Sequence, residues 1–422
     1  MSDPRRGQNR RAFLASLAAA TALIRPARAA GDPILEALIE QNQRHEIGQH
    51  FDSASRTIHM PQSSLPTLSA STADTTAQAI GLYEGILAHG GWPVVPPVER
   101  LRLGNRHPSV VLLRKRLIIS GDLEARTGDT DIFDSYVEAA VRRFQARHGI
   151  SIDGIVRAET FKRLNIPCDV RLTQLKTNLV RLKAMKGSLG ERYVMCNIPA
   201  AQIEAVENGV AVSRHTAVVG RVSRPSPELT SKIIEVNFNP YWTVPVSIVR
   251  KDLVPLMQKD PTYLTTEHIH IYDSHGNELK PTEIDWNSNE AVNYRFRQDP
   301  GDFNSLGTVR IDFPSPYGVY MHDTPEKGLF GEDMRFHSSG CVRVQNVREL
   351  VDWLLRDTPG WSRPQIDATI KSGERVDAKL AKPVPVYWVY ITGWATPDGV
   401  VQFRDDIYNK DGLAPFAPVA KG

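Results

Sequence analysis

The sequence predicts an α+β protein of several domains, with helices before about residue 190 and a β-rich domain after it. Two patterns indicate this division. Apolar residues recur at helical spacing in the first part, whereas short β-type runs bounded by Gly, Pro or Asn begin at about Glu191. The chain has 422 residues, 41% hydrophobic and 23% charged, so it is long enough for two or three globular cores and is neither collagen-like nor wholly disordered.

The first 29 residues predict an export signal rather than a folded element. Two arginines at 10 and 11 precede a 13-residue apolar run over 12–24, and a small-x-small pattern follows at 27–29. The run is too short for a stable membrane-spanning helix, which needs about 20 residues. The paired arginines resemble a twin-arginine signal, which predicts a periplasmic protein without an integral membrane segment after cleavage. An uncleaved anchor is the alternative.

The charge distribution argues against nucleic-acid binding. The formal net charge is +3, but residues 1–29 contain six arginines and one aspartate, so the remainder carries a net charge of −2. Such a chain has no basic surface of the kind that nucleic acids or anionic membranes require. It also contains no glycine-rich phosphate-binding loop, and we expect no nucleotide or other cofactor.

Residues 30–100 predict a helical scaffold interrupted by a linker. A helix is expected around Pro33–Ile39, and a second over Ala77–His89, which ends at the Gly-Gly-Trp-Pro sequence of 90–93. Between them, residues 62–78 are rich in Ser, Thr and Ala and almost uncharged, which is typical of a solvated connector.

A compact helical domain is expected over 101–168, followed by a linker helix over 169–190. Its apolar residues recur at helical spacing around Leu113 and again around Val141, and a Gly-containing turn leads to a short helix near Phe161. The sequence resembles the small three-helix peptidoglycan-binding domain, which implies glycan strands as partners. A spacer that binds nothing is the alternative, because a fold does not establish a binding site.

The β-rich domain is expected over 191–410, with a short tail at 411–422. Strands are predicted at 193–199, 216–220, 232–238 and 308–313. A charged stretch at about 247–298 interrupts them and predicts an inserted subdomain with one helix and a hairpin. The last predicted element is a hairpin formed by the two apolar runs within 385–408.

The residues with catalytic potential concentrate between 317 and 346. Cys341 follows the small-residue turn Ser338-Ser339-Gly340, which presents its thiol to another molecule. A nucleophilic cysteine needs a neighbour that takes its proton and stabilises the thiolate. His322, at the end of a predicted strand, is favoured over His337, whose ring is expected to face outward or contact backbone.

The same residues carry a family resemblance. Residues 321–325 (MHDTP) and 337–344 (HSSGCVRV) resemble the signature of the L,D-transpeptidases with a YkuD-type catalytic domain. By position, Cys341 matches the nucleophile, His322 the base, Gly340 the turn glycine and Arg343 the arginine after the nucleophile. Ser339 stands where many members have histidine. Residues 90–93, 239–245 and 385–408 resemble the YcbB-like subgroup, whose members carry a peptidoglycan-binding domain and an inserted capping subdomain.

The resemblance implies a function in cell-wall biogenesis and cell shape. The thiolate would attack a tetrapeptide stem between diaminopimelate and D-alanine, release D-alanine and leave a thioester. An amine of a second stem would then form a 3→3 cross-link, and a carbapenem would acylate the same thiol. A thiol hydrolase acting on the same linkages and a non-catalytic wall-anchoring protein are the alternatives, and the natural acceptor stays open.

Other residues of this segment have two possible roles each. Backbone N–H groups of Gly340 and Cys341 are candidates for binding the developing oxyanion. Tyr320 is either a hydroxyl donor at the site or a packing residue. Arg343 either binds a stem carboxylate or forms a structural ion pair. Trp242 is either a wall of the substrate cleft or part of a core.

No metal site is predicted. His268, His270 and His275 could approach one another, but no cysteine or carboxylate cluster completes a tetrahedral set. The chain has three cysteines, and Cys168 and Cys196 could form a disulfide after export if they lie close enough.

After the nucleophile, Asn346 and Glu349 predict a capping box at the start of a helix. The apolar residues at helical spacing in that helix are expected to pack on the core; they are Val347, Leu350, Val351, Leu354 and Leu355.

Overall fold

The computed structural model describes residues 64–185 and 189–412. The predicted export signal, the helix around Pro33–Ile39 and the tail beyond residue 412 lie outside this part of the chain. Within it, none of the helices has the length and apolar character needed to cross a membrane.

Helices dominate the first part of the described chain. Those of this part are α1 (Thr72–Ala88), α2 (Pro108–Ile119), α3 (Ser135–Arg147), α4 (Ala158–Leu164) and α5 (Cys168–Met185). Helices α2, α3 and α4 enclose one apolar core that includes Leu113, Val141 and Phe161. Helix α3 begins where the Asp134 carboxylate accepts the Val137 N–H, the interaction expected of an aspartate N-cap.

The segment predicted as a solvated linker is largely folded. Helix α1 begins at Thr72 rather than Ala77, and its first turns are buried. Thr75 donates to the Ala395 carbonyl at 2.6 Å, and the Thr76 hydroxyl accepts the Ala395 N–H at 3.1 Å. The prediction was wrong because the small hydroxyl side chains that suggested a connector instead satisfy backbone groups of a neighbouring strand.

The second part of the chain contains the strands. They are β1 (Arg192–Asn197), β2 (Gln202–Glu207), β3 (Val210–Gly220), β4 (Leu229–Phe238), β5 (Trp242–Thr243), β6 (Ile269–Tyr272), β7 (Glu278–Leu279), β8 (Arg295–Gln298), β9 (Val309–Asp312), β10 (Met321–His322), β11 (Phe336–Ser338), β12 (Val342–Val344), β13 (Val376–Val389), β14 (Gly393–Ala395) and β15 (Val401–Phe403). The later helices are α6 (Val246–Ile248), α7 (Val254–Lys259), α8 (Tyr263–Thr266), α9 (Val347–Leu355) and α10 (Arg363–Ser372).

Nine strands form one sheet that closes on itself. The order is β11-β3-β12-β10-β9-β4-β13-β1-β2, and β2 also pairs with the long strand β3. This closure produces a barrel-like sheet whose core is mainly aliphatic and includes the aromatic residues Phe238, Phe313, Trp388 and Tyr390. Helix α9 covers part of this core with all five of its predicted apolar residues, which confirms that prediction.

The insertion is a small subdomain with its own core. Strands β5-β8-β6-β7 form a four-stranded sheet, and α6 and α7 are joined by a π-helical turn at Val249–Leu253. Its buried residues include Met257, Leu264 and Phe296. The subdomain, called the cap below, therefore contains more than the single helix and hairpin predicted, and it begins at Trp242 rather than near 247.

Two local predictions were wrong, and the disulfide left open by the sequence is not formed. The predicted terminal hairpin is only β14 and β15, because residues up to Val389 belong to β13, which lies between β1 and β4 in the barrel. Asn346 has φ 52° and makes no side-chain cap, since a capping side chain requires extended backbone. Cys168 and Cys196 are free and buried, one beside Tyr83 and the other in the barrel.

The helical domain is attached to the second part through the β14–β15 hairpin. Arg147 forms a buried ion pair with Asp122 and donates to the Val401 carbonyl at 3.2 Å. Arg404 donates to the Arg147 carbonyl at 3.0 Å. Arg163 of α4 adds an ion pair to Asp405. These contacts hold the domain at a defined position relative to the barrel.

Candidate active site

Cys341 lies on a short, tightly held turn between β11 and β12. The turn requires glycine at 340, where φ is +121°. Ser338 accepts the Gly340 N–H at 3.1 Å and donates to the Cys341 carbonyl at 2.5 Å. Ser226, from the loop after β3, donates to the Gly340 carbonyl at 2.8 Å. The thiol is therefore presented by a backbone that is fixed on both sides.

The register of two parallel strands brings the candidate residues to one face. In the β10–β12 pair, Met321 lies opposite Val342 and His322 opposite Arg343. Met321 and Val342 are fully buried in the barrel core. Because side chains alternate between faces, His322 and Arg343 point to the other face. Cys341, adjacent to Val342, lies next to this face.

Tyr320 lies two residues before His322, on the same face of the strand, and its charge state is linked to that of Cys341. Its backbone and its hydroxyl both act to lower the pKa of the Cys341 thiol, against the larger effect of burial. The indole of Trp242 from the cap acts to lower the pKa of the Tyr320 hydroxyl, and the guanidinium of Arg310 lies 4.4 Å from the Tyr320 ring centre. Burial raises the pKa of the Tyr320 hydroxyl, and the neighbouring Cys341 adds to the increase. Trp242 is half-buried and packs against the cap core, which is one of the two roles considered from the sequence.

His322 is buried, with 5% exposure, and its tautomer is defined by a backbone contact. The Nδ1 atom lies 2.5 Å from the carbonyl oxygen of Asp323. Because a carbonyl only accepts, Nδ1 carries the hydrogen and Nε2 is left with a lone pair. The Tyr320 and His322 rings lie with centroids 5.8 Å apart. Nε2 is therefore the atom of His322 that can take up a proton.

The charge states of Cys341 and His322 differ from the expectation that the histidine stabilises a thiolate. Burial raises the pKa of the Cys341 thiol to about 11. Burial and then the positive charge of Arg343 lower the pKa of His322 to about 3. In the described part of the chain, no hydrogen bond joins the Cys341 thiol to the imidazole. Both groups are therefore neutral at neutral pH, because desolvation penalises each charged form.

The other histidine of the segment is directed outward. His337 is exposed, and its Nε2 lies 2.7 Å from a carboxylate oxygen of Glu332 and 2.8 Å from the Met334 carbonyl. This confirms the expectation that its ring faces solvent or contacts backbone, and it leaves His322 as the histidine of the thiol face.

Arg343 forms an ion pair with the exposed carboxylate of Glu326. This is one of the two roles considered from the sequence, and binding of a stem carboxylate stays a prediction. The Gly340 N–H is engaged by Ser338, so the expectation that it binds an oxyanion needs revision. The N–H of Cys341 is left as the backbone candidate.

A contact not anticipated from the sequence ties the cap to the catalytic turn. Arg224 forms a two-pronged ion pair with Asp252 of the cap, at 2.5 and 3.0 Å. The same guanidinium donates to the Ser339 hydroxyl at 2.9 Å. Arg221 approaches that hydroxyl at 3.4 Å. No sequence pattern indicates this link, because Arg224 and Ser339 are 115 positions apart.

Two of the three histidines considered as metal ligands have side chains engaged in other contacts. His270 lies between Glu278 and Asp299, at 2.6 and 3.0 Å. His268 stacks on Phe303 with ring centroids 4.1 Å apart. Across residues 64–185 and 189–412, no group of three His, Cys, Asp or Glu side chains is arranged to hold a metal ion.

The described chain thus combines a closed barrel, a helical domain, and a cysteine on a turn next to the strand pair that holds a buried histidine. Residues 191–366 match the family model of the YkuD L,D-transpeptidase catalytic domain. Residues 106–164 match the family model described as "Putative peptidoglycan binding domain". The chain thus contains an L,D-transpeptidase catalytic domain of the YkuD family and a domain of the peptidoglycan-binding family.

Individual relatives are similar over part of their length. A Haemophilus influenzae protein named "Putative L,D-transpeptidase" is 35% identical over 227 residues, which are 54% of this chain and 46% of that protein. The chain thus spans about half the length of this curated relative.

Solved structures of L,D-transpeptidases were also compared. One from Mycobacterium smegmatis is 12% identical, with 47% of this chain and 58% of that chain covered and a TM-score of 0.24. Another, from Xylanimonas cellulosilytica, is 15% identical, with 70% and 99% covered and a TM-score of 0.23. Structural overlap this small carries no weight in the assignment.

Proposed function

We propose that this protein is a cysteine-dependent L,D-transpeptidase that forms 3→3 cross-links between peptidoglycan stem peptides. The observation that carries this is the placement of Cys341 on a fixed turn, with His322 on the adjacent parallel strand and Tyr320 two residues before His322. A nucleophile, a proton acceptor and a hydroxyl donor thus converge on one face, which is the arrangement that acyl transfer requires.

In the first half of the reaction, the Cys341 sulfur attacks the carbonyl carbon between diaminopimelate and the terminal D-alanine. The thiol proton passes to Nε2 of His322 as the S–C bond forms. The C–N bond then breaks, His322 returns the proton to the departing amine, and D-alanine leaves. The stem remains attached to Cys341 as a thioester.

In the second half, an amine of a second stem attacks the thioester carbonyl. His322 takes a proton from this amine, the C–S bond breaks, and the proton returns to the sulfur. The developing oxyanion is stabilised by the Cys341 N–H and the Tyr320 hydroxyl. Because the resting thiol and imidazole are both neutral, proton transfer accompanies attack instead of preceding it.

Hydrolysis of the same linkages is the second candidate, since water can also resolve a thioester. The link from Asp252 through Arg224 to Ser339 favours transfer, because it holds the cap against the catalytic turn. A cap that excludes water protects the thioester until an amine arrives. The converged site argues against a purely wall-anchoring protein.

The location and partners follow from the same proposal. The predicted twin-arginine signal would bring the enzyme to the periplasm, where its substrate lies, and the helical domain would contact glycan strands. The match of residues 106–164 to the peptidoglycan-binding family supports the second point.

The test is incubation with purified wall fragments bearing tetrapeptide stems, followed by mass spectrometry. We expect cross-linked dimers and free D-alanine from the wild-type protein and neither from Cys341→Ser. Trimmed monomers without dimers would establish the hydrolase instead. Dimers formed equally by Cys341→Ser would overturn the proposal.

A further inference from the structure

We propose that Asp323 is a positioning residue, whose carboxylate fixes its own peptide group so that the carbonyl oxygen holds Nδ1–H of His322. This inference rests on the proposed function, in which Nε2 of His322 accepts the thiol proton. In the sequence, Asp323 is only one residue of the motif at 321–325, and the matched family descriptions assign it no role.

The Asp323 carboxylate is buried, with 5% residue exposure, and is fully engaged. One oxygen accepts both the N–H and the hydroxyl of Thr308, at 3.1 and 3.0 Å. The other forms an ion pair with Lys327. The backbone N–H of Asp323 donates to the Val309 carbonyl at 2.8 Å. Residue 323 is therefore held from both its backbone and its side chain, and its carbonyl has little freedom to turn away from His322.

Gly307 provides the space for this arrangement. It has φ +58°, and a Cβ at this position would lie 2.6 Å from an Asp323 carboxylate oxygen and 2.7 Å from its Cγ. Such distances are not tolerated between real atoms, so any side chain at 307 would displace the carboxylate. The glycine thus serves the close approach of the carboxylate to the backbone of residues 307 and 308, as well as the turn itself.

The consequence for chemistry is the choice of imidazole tautomer. A neutral imidazole carries one hydrogen, and the group that contacts one nitrogen decides which nitrogen holds it. While the Asp323 carbonyl accepts from Nδ1, Nε2 keeps its lone pair. If the carbonyl moves, the tautomer with hydrogen on Nε2 becomes populated, and this form cannot accept the Cys341 proton.

Two substitutions at 323 distinguish the positioning effect of the side chain from the effect of its negative charge. Asp323→Ala and Asp323→Asn both remove the negative charge beside His322, but only asparagine retains an oxygen that can accept from Thr308. We expect Asp323→Ala to lower the acylation rate of Cys341 at least about tenfold, as for a misplaced catalytic group. Asp323→Asn should recover most of that loss.

Alanine substitutions at two glycines provide a second test and its matched control. Gly307→Ala and Gly360→Ala both place a side chain at a positive φ, but a Cβ at 360 meets nothing within 4 Å. Both variants should lose stability in thermal unfolding, whereas only Gly307→Ala should slow acylation. Gly360 lies outside the site, so its variant reports backbone strain alone.

The deciding measurement is the tautomer of His322, read from imidazole ¹⁵N shifts in the full chain and assigned with a His322→Gln variant. We expect hydrogen on Nδ1 in the wild-type protein and in Asp323→Asn, and a substantial fraction on Nε2 in Asp323→Ala and Gly307→Ala. An unchanged tautomer in the latter two, with acylation within twofold of wild type, would overturn the inference.

This readout does not depend on transpeptidase activity. A tautomer that shifts as expected in a protein that forms no cross-links would leave the positioning role intact and refute the proposed function. Active wild-type protein with an insensitive tautomer would do the reverse.

Discussion

At the scale of single residues, the site is governed by desolvation. Cys341 has a raised pKa and His322 a lowered one, and burial is the largest cause of both shifts. The nearby cations Arg310 and Arg343 lower the pKa of the thiol but do not compensate for burial. Before substrate binds, the thiol of Cys341 is therefore neutral. A neutral thiol reacts more slowly than a thiolate with oxidants and small electrophiles.

This predicts an unusual pH dependence for alkylation of Cys341 by iodoacetamide. Because the pKa of the thiol is about 11, the thiolate fraction should rise about tenfold per pH unit between pH 7 and 10. Mass mapping should locate the label on Cys341, since Cys168 and Cys196 are buried. The Cys341→Ser variant is the control. A rate that reaches its plateau near pH 7 would contradict the neutral pair.

At the scale of secondary-structure elements, the proposed preference for transfer over hydrolysis depends on the link from the cap to the turn. We predict that Arg224→Ala and Asp252→Ala each raise the ratio of trimmed monomer to dimer, because the cap no longer shields the thioester. Product ratios from the wall-fragment reaction measure this effect. Lys251→Ala, at an exposed position of the same π-helical turn, is the matched control.

Equal product ratios in Arg224→Ala, Asp252→Ala and Lys251→Ala would show that the cap does not control access of water. In that case, the acceptor would be selected elsewhere in the site.

Elements with strong local signals could be predicted from the sequence, whereas those defined by distant partners could not. Helix α9 follows from its apolar spacing, and the strand end at His322 follows from the motif itself. The role of residues 385–389 as a central barrel strand depends on pairing with β1, almost 200 positions earlier, and no local pattern encodes that pairing.

In the candidate site, too, some features could be predicted from the sequence and others could not. The nucleophile and base candidates come from a short motif, so the sequence identifies them. The contacts of Arg224, Asp252 and Thr308 depend on how loops meet in space. The charge states of Cys341 and His322 depend on burial, which is a property of the folded protein.

At the scale of the whole molecule, the helical domain and the barrel are joined by buried charges as well as by apolar contact. Arg147 reaches across the junction to Val401 while paired with Asp122, and both side chains are less than a tenth exposed. Buried ion pairs are costly to break because the remaining charge is left without a partner.

We therefore predict that Arg147→Ala destabilises the protein by about 3 kcal/mol or more, since it leaves Asp122 buried and unpaired. Thermal and denaturant unfolding measure this loss. Arg157→Ala removes an exposed ion pair in the same domain and should cost less than about 1 kcal/mol. A loss as small in Arg147→Ala as in Arg157→Ala would mean that the junction contributes little to stability.

The central claim, that Cys341 is the nucleophile and His322 its proton acceptor, is tested most directly by intact-mass kinetics with a carbapenem. We predict one covalent adduct on Cys341 in the wild-type protein. At neutral pH, acylation of His322→Gln should be about 10²-fold slower or more, the usual contribution of a general base. The deficit should shrink as the pH approaches 11, where the thiol ionises unaided. An adduct on another residue, or equal rates in the two proteins at neutral pH, would contradict the claim.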